Sequence, residues 1–296
     1  MAASNFSTSN VKEVIIDRYV EGLHSVSERW AQAFDYRTDN VSSLRLSPIS
    51  GVGEIPVWDK ASDLDQVGLE APDPQSLDYE AFGVQVRVNK YDAMDVPESV
   101  TSLPQRIGIA TASTYAAKAA SVLANAFTTE TTSYDAVALV SDSHTVKGGG
   151  TRSNKLTSAL DTTAIMAAIA LFRNWVDYQG LKMDIVEMGG FYLIVPPGLE
   201  EAAGQALGSS VTSAAMQVNM AGSYGIETIV WNQLSDTNNW FLVSKAMSPI
   251  TFWERSAPDL KIDIDQDSKA GKYSLDFAIR AKAGATPDGI VGSLVA

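Results

Sequence analysis

The chain has 296 residues and a formal charge of −13, with 45% apolar and 19% charged residues. The acidic balance excludes attraction to nucleic-acid phosphates as a main driving force for binding. It contains no cysteine, which excludes disulfides, thiolate metal sites and a cysteine nucleophile. No uninterrupted apolar stretch of about 18 residues occurs, so we expect no contact with a membrane.

The N-terminal part is predicted to be a polar tail followed by an amphipathic helix. Within residues 11–34, apolar side chains at helical spacing share one side of the helix. A break is expected near Gly22, because glycine interrupts helical patterns. Residues 35–48 are polar and are predicted to be extended.

Residues 51–94 predict an extended hairpin with a long polar tip. Its first strand would be the apolar run Ile55–Trp58, and its second the alternating run Phe82–Asn89. One face of the second strand is apolar and consists of Phe82, Val84, Val86 and Val88. A two-stranded hairpin is marginal alone, so another surface, which another subunit could supply, is expected to cover this face.

Residues Pro104–Phe127 predict one long helix. The stretch is rich in alanine, has no glycine after Gly108 and no further proline, which favours an uninterrupted helix. At about 1.5 Å per residue it would be roughly 36 Å long. Its larger apolar side chains are spread around the helix, so several segments can pack against it, and we interpret it as a scaffold.

The remaining chain predicts helices and strands mixed without a βαβ rhythm, which favours the α+β class. A helix capped by Asp161 or a nearby threonine and ended by Gly180 is expected first, and a buried strand Phe191–Val195 follows. A short helix Leu199–Leu207 comes next. Five later strands are expected at 227–231, 240–244, 251–255, 261–265 and 273–282.

Three stretches suggest chemistry, and each has a simpler interpretation. Ser141–His144 contains serine, aspartate and histidine, but neighbours in sequence rarely form a catalytic triad, and we interpret it as a polar loop. The glycines at 148–150 lack the phosphate-loop pattern. Asp263, Asp265 and Asp267 have calcium-loop spacing but lack the loop's glycine and glutamate. We therefore expect no enzyme activity, no cofactor and no metal site.

The order of elements resembles the major capsid protein of tailed bacteriophages, especially the major head subunit of Mu-like phages. The resemblance is carried by stretches that follow one another from about residue 50 onward. They are Ala138–His144, Gly148–Leu156, Phe191–Pro197, Asn239–Leu242 and Pro249–Arg255.

The resemblance implies the tailed-phage capsid fold and a division of the chain into named parts. Residues 1–50 would be the N-terminal arm, 51–96 the extended loop and 97–135 the peripheral domain with the long helix as its spine. Residues 136–245 would form the axial domain. Residues 246–284 would return to the peripheral sheet, and 285–296 would belong to the axial domain.

The resemblance also implies assembly into pentamers and hexamers that form an icosahedral shell around double-stranded DNA, as part of a virion assembled in the host cytoplasm. Further expected partners are a separate scaffolding protein, a portal and decoration proteins. Expected inter-subunit contacts are Trp58, Lys60, Phe82, Val84, Val86 and Val88. Two alternatives are an encapsulin-like compartment enclosing cargo proteins and an acidic α+β hydrolase that uses Ser141 or His144.

Overall fold

The computed structural model describes residues 8–39, 43–46, 75–88, 97–133, 135–147, 149–208, 220–264, 271–283 and 286–295. The predicted strand Ile55–Trp58, which includes the expected contact Trp58, lies outside the described residues, as do Lys60, Asp265 and Asp267.

Two helices form the first layer, α1 (Thr8–His24) and α2 (Pro97–Ala124). Helix α2 begins seven residues before the predicted start, with Pro97 at its first position, where the missing N–H has no helical partner. The predicted helix start at Pro104 was therefore wrong. Pro104 lies inside the helix, where it removes one backbone hydrogen bond.

Helices α1 and α2 cross in opposite directions at two glycines. A Cβ atom on Gly22 would lie 2.2 Å from the carbonyl oxygen of Gln105, and one on Gly108 would lie 2.2 Å from that of Tyr19. The break predicted near Gly22 falls two residues later, because α1 continues through Gly22 and ends at His24. The missing side chains allow the two backbones to touch.

The first sheet has the strand order β1-β11-β12-β4. Its strands are β1 (Asp35–Thr38), β4 (Glu80–Val88), β11 (Ile250–Ile264) and β12 (Gly271–Ala283). Strand β1 is parallel to β11, and the other two pairs are antiparallel. The two strands predicted at 251–255 and 261–265 form the single strand β11, with register shifts around Ser256.

The predicted strand Phe82–Asn89 is observed as β4, whereas the other predicted strand of the hairpin, Ile55–Trp58, lies outside the described residues. Among the described residues, the partner of β4 is β12, from a distant part of the sequence. A separate antiparallel pair, β2 (Ser43–Leu46) and β3 (Gln75–Asp78), flanks residues 47–74. Strand β2 falls in the stretch 35–48 that was predicted to be extended, whereas β3 falls in the stretch that was predicted to be a polar tip.

A small hairpin and a second sheet follow α2 along the chain. Strands β5 (His144–Thr145) and β6 (Thr151–Arg152) form the hairpin. The second sheet has the order β7-β13-β10-β8-β9. Its strands are β7 (Lys155–Leu156), β8 (Phe191–Val195), β9 (Ile226–Val230), β10 (Trp240–Ser244) and β13 (Ile290–Ser293).

Helices α3 (Thr162–Arg173) and α4 (Glu200–Leu207) pack on one face of the second sheet. The Asp161 carboxylate caps α3 by accepting a 2.6 Å hydrogen bond from the Ala164 N–H, as predicted. The helix ends at Arg173, before the predicted Gly180, because the chain turns back there to form a bridge between Val176 and Lys182.

Two hydrophobic cores meet at the second sheet. Ile194 and Phe241 belong to the core that contains α1, α2 and the first sheet. Their neighbours Leu193 and Leu242 belong to the core under α3 and α4. Successive side chains of a strand point to opposite faces, so this sheet is buried on both sides.

Four aromatic side chains tie the N-terminal part to the first sheet. Phe252 of β11 lies 5.6 Å from Trp30, 5.7 Å from Tyr36 and 5.6 Å from Tyr115, measured between ring centroids. Trp30 also stacks on Trp231 at 5.8 Å. Trp30, Tyr36, Tyr115 and Phe252 come from a 3-10 helix (Arg29–Ala33), β1, α2 and β11, and the fifth ring, Trp231, directly follows the strand Ile226–Val230.

Candidate functional site

The histidine of the predicted polar loop lies inside the protein. The His144 side chain is fully buried, and its Nδ1 lies 2.9 Å from Oδ2 of Asp135. Its Nε2 lies 3.2 Å from Oδ1 of Asn154. The Asp135 side chain is only 2% exposed, so this is a buried acid–histidine pair.

The orientation of the Asn154 amide determines which ring nitrogen of His144 must donate a hydrogen bond to it. The Asn154 Nδ2 donates to the Leu139 carbonyl at 2.9 Å, and its Oδ1 accepts from the Ser141 N–H at 2.8 Å. The Nε2 of His144 therefore faces an acceptor, and its Nδ1 faces a carboxylate. This hydrogen-bond arrangement suits the doubly protonated ring, which donates at both nitrogens.

A second buried pair continues the network. Arg152 lies 3.0 Å from Asp288, and the indole N–H of Trp175 donates to the same carboxylate at 2.6 Å. The Arg152 guanidinium also stacks 4.5 Å from the Trp175 ring and donates to the Val176 carbonyl. Burial raises the pKa of Asp288, although the Arg152 charge opposes that shift.

This geometry does not support hydrolysis by Ser141 or His144. The hydroxyl of Ser141 lies 3.1 Å from that of Ser143, and both His144 nitrogens have other partners. A nucleophile needs a base within hydrogen-bond reach and an accessible face, and His144 is fully buried. The network instead links residues 135–154, the turn after α3 and the chain before β13.

The Asp135–His144 pair predicts a stability difference that depends on pH. Burial alone would raise the pKa of Asp135, but the hydrogen bond and charge of His144 outweigh burial and lower it. A lowered folded-state pKa stabilises the fold above the unfolded value, near 4, and this contribution is lost as the pH falls through the folded value. Asp135→Asn should therefore be less stable than wild type at pH 7, and the difference should shrink as the pH falls below about 4.

Urea unfolding of unassembled subunits at a series of pH values measures this difference. Asp142→Asn, an exposed acid of the same loop, is the control and should follow wild type at every pH. The difference in unfolding free energy between wild type and Asp135→Asn could instead stay constant down to pH 2. That result would contradict the lowered pKa of Asp135.

The apolar face predicted for residues 82–88 is largely covered from within the chain. Phe82, Val86 and Val88 pack partly against the first core, whereas Val84 is 47% exposed. At the start of β4, Glu80 pairs with Lys118 of α2, whose Nζ lies 5.8 Å from the Phe82 ring. Of the four residues, Val84 is therefore the one most available to a neighbour.

The outer edge of β4 is unpaired among the described strands, since the sheet order ends there. The other two residues predicted to contact a neighbour, Trp58 and Lys60, lie in the undescribed segment between β2 and β3.

Sequence reasoning missed Asp135, Arg152, Asn154 and Asp288 as parts of one network. Asp288 lies 136 positions from Arg152, so local spacing carries no signal for that pair. The single acid Asp135 beside the apolar run 137–140 was the available hint, because a carboxylate entering a core needs a partner.

The described part of the chain contains neither a membrane-spanning helix nor a metal-binding cluster. No helix there has the length and apolar character needed to cross a bilayer. The same residues include no cluster of three or more histidine or acidic side chains that could hold a metal ion.

A family model described as "Phage capsid protein" matches residues 80–292. No curated protein gives a significant match to the chain.

Solved structures with a similar fold include three particles, each with 12% sequence identity. The mature capsid of bacteriophage PhiM1 has a TM-score of 0.59, and 91% of this chain and 87% of that chain are covered. The capsid of a native GTA particle has a TM-score of 0.57, with 91% of both chains covered. A virus-like particle from Pyrococcus furiosus has a TM-score of 0.53, with 97% and 98% covered. At this identity the likenesses show the fold.

Proposed function

The chain belongs to the phage capsid protein family, and from that premise we propose that it is the major head subunit of a tailed phage, forming pentamers and hexamers that close into an icosahedral shell around double-stranded DNA. The observation that carries this proposal is the family match over residues 80–292, which include α2 and most of both sheets. Family membership gives the chain a structural role in a multimeric shell.

Sheet membership supports an assignment of parts. The shared core of the first sheet, α1 and α2 supports a peripheral domain with α2 as its spine, to which α1 and β4, expected in the N-terminal arm and the extended loop, would also belong. The second sheet with α3 and α4 corresponds to the axial domain. The C-terminal strand β13 lies in that second sheet beside β10, which supports placing 285–296 in the axial domain.

The charge of the chain suits a wall that encloses DNA without binding it tightly. With a formal charge of −13, the subunit as a whole repels phosphates. Packaged DNA could then move along the wall during filling. We further propose a separate scaffolding protein, a portal and decoration proteins as partners, assembly in the host cytoplasm, and no catalytic activity.

Electron microscopy of the purified protein tests the shell. Closed particles that contain or admit DNA are expected, and a persistent monomer under all assembly conditions would overturn the proposal. An encapsulin-like compartment predicts particles that hold protein cargo and no nucleic acid. The phage family match disfavours that alternative, although the fold alone is compatible with both.

Val84→Asp is expected to block or strongly weaken assembly while leaving the monomer folded. Val84 is 47% exposed in the isolated chain, so a charge there costs little until a neighbour covers it. Sedimentation would measure assembly, and urea unfolding would measure monomer stability. Val86→Asp is the matched comparison, and it should reduce both because Val86 packs on the chain's own core. Normal assembly of Val84→Asp would show that β4 faces solvent in the shell.

A further inference from the structure

A pocket of about 330 Å³ opens between the end of α1, the 3-10 helix Arg29–Ala33, α2 and β11. Leu23 and Ala112 contribute aliphatic surface, and Tyr36 and Tyr115 contribute aromatic surface. Pockets for small molecules usually measure about 300–1,000 Å³, are mostly apolar and carry a few polar groups that orient the ligand. This pocket therefore has the size and the lining of a site for a small ligand.

The carboxylate of Glu254 is the polar group that two elements hold in this lining. Its Oε2 accepts hydrogen bonds from the hydroxyls of Tyr36 and Tyr115, the second at 3.1 Å. Its Oε1 accepts none from the described residues. Burial raises the pKa of both tyrosines, and the Glu254 carboxylate raises it further, so both hydroxyls remain protonated donors. Glu254 is thus fixed through one oxygen and has the other available to a ligand.

A second carboxylate, that of Glu28, lines the same pocket and is exposed, which places it toward the solvent. Its charge also raises the pKa of Tyr36, so both acids act on that ring. Within the described part of the chain, neither Glu28 nor Glu254 forms an ion pair with a cation. The pocket therefore combines uncompensated negative charge with apolar and aromatic walls.

We propose that this pocket binds a small aliphatic amine as its ammonium ion, with the ammonium group on Glu254 and the alkyl chain along Tyr36, Tyr115 and Leu23. An ammonium group supplies three donors and a positive charge to the available carboxylate oxygen. Tyrosine rings attract the same group through the cation–π interaction. An anion would be repelled, and a neutral apolar ligand would desolvate the carboxylate without giving it a partner.

Such a ligand would join segments that are distant in sequence. Its walls belong to the end of α1, the 3-10 helix, β1, α2 and β11. A ligand that binds only the folded chain stabilises it by mass action. The amine would therefore hold the N-terminal segments on the first sheet. This inference concerns the single subunit and does not depend on the proposed assembly.

Saturation-transfer NMR with butylammonium chloride as the probe tests the site in the unassembled subunit. Wild type should bind the probe saturably, and 1-butanol and ammonium chloride, which lack the charge or the chain, should bind at least about tenfold more weakly. Glu254→Gln keeps an acceptor for the tyrosines but removes the charge, and it should weaken binding of the probe by about tenfold or more. Glu187→Gln, an exposed acid beyond α3, is the matched control and should bind like wild type.

Ala112→Leu tests the pocket by filling it while both carboxylates stay in place. Ala112 lines the pocket from α2 and is 8% exposed, and leucine is a good helix former. The variant should lose binding of the probe, with urea unfolding as the check that it folds. Butylammonium should also raise the urea midpoint of wild type and Glu187→Gln, but not that of the two pocket variants.

Three results would overturn the inference. The first is the absence of saturable butylammonium binding to wild type. The second is equal binding by wild type, Glu254→Gln and Ala112→Leu, which would place the probe elsewhere on the surface. The third is binding of 1-butanol as tight as that of butylammonium, which would show that the carboxylate does not select a cation.

Discussion

His144→Ala is expected to destabilise the unassembled subunit by about 3–5 kcal/mol, the usual cost of breaking a buried ion pair. The substitution leaves the Asp135 carboxylate, whose side chain is 2% exposed, without its cationic partner. It also removes the donor that faces Asn154. Backbone N–H groups of Val137 and Thr145 still reach Asp135, but they do not replace a charge.

Urea unfolding of the subunit measures this loss, and His24→Ala provides the control. His24 is the chain's other histidine and is exposed at the end of α1, so its removal should change stability by less than about 0.5 kcal/mol. The double variant Asp135→Asn/His144→Ala leaves no unpaired charge in the core. Its loss of unfolding free energy should therefore be smaller than the sum of the losses in the two single variants. Unchanged stability of His144→Ala would show that the network does not support the fold.

Gly108→Ala is the second substitution with a large expected effect, about 3 kcal/mol. Its Cβ would lie 2.2 Å from the Tyr19 carbonyl oxygen and 2.8 Å from the Leu23 amide nitrogen, which are both backbone atoms. Helix α1 must move away to relieve the clash, and this weakens the packing of Tyr19 and Leu23 on the first core.

Limited proteolysis within α1 and urea unfolding would detect the displacement. Gly204→Ala is the matched control, because Gly204 also lies in a helix but its Cβ would meet no heavy atom within 4 Å. Alanine there should stabilise by about 0.5–1 kcal/mol through helix propensity. Equal effects of the two substitutions would mean that α1 does not cross α2 at these glycines.

The best sequence predictions concern apolar runs with clear boundaries. Strand β8 was predicted as Phe191–Val195 because two prolines follow it, and β10 was predicted at 240–244. Both lie in the sheet that is buried on both faces, where nearly every residue is apolar. Local composition alone determines such strands.

Predictions failed where the decisive partner is distant in sequence. Strand β11 was predicted as two strands because the polar residues around Pro258 resemble a turn. In the structure, β11 pairs with β12 on both sides of these residues and is one strand. The close contact of Gly22 with Gln105 was not predicted, because it has no local signature. The network of charged residues was not predicted for the same reason. Asp288 and Arg152 are far apart in sequence and form their ion pair only in the folded chain.

The second sheet has a mechanical consequence for a shell subunit. Its two faces belong to different cores, so a load on α3 and α4 reaches α2 through β8 and β10 instead of through a flexible connection. Close-packed interiors have low compressibility and transmit strain. The subunit can therefore act as a single rigid plate, and pressure from packed DNA would be borne at the contacts between plates.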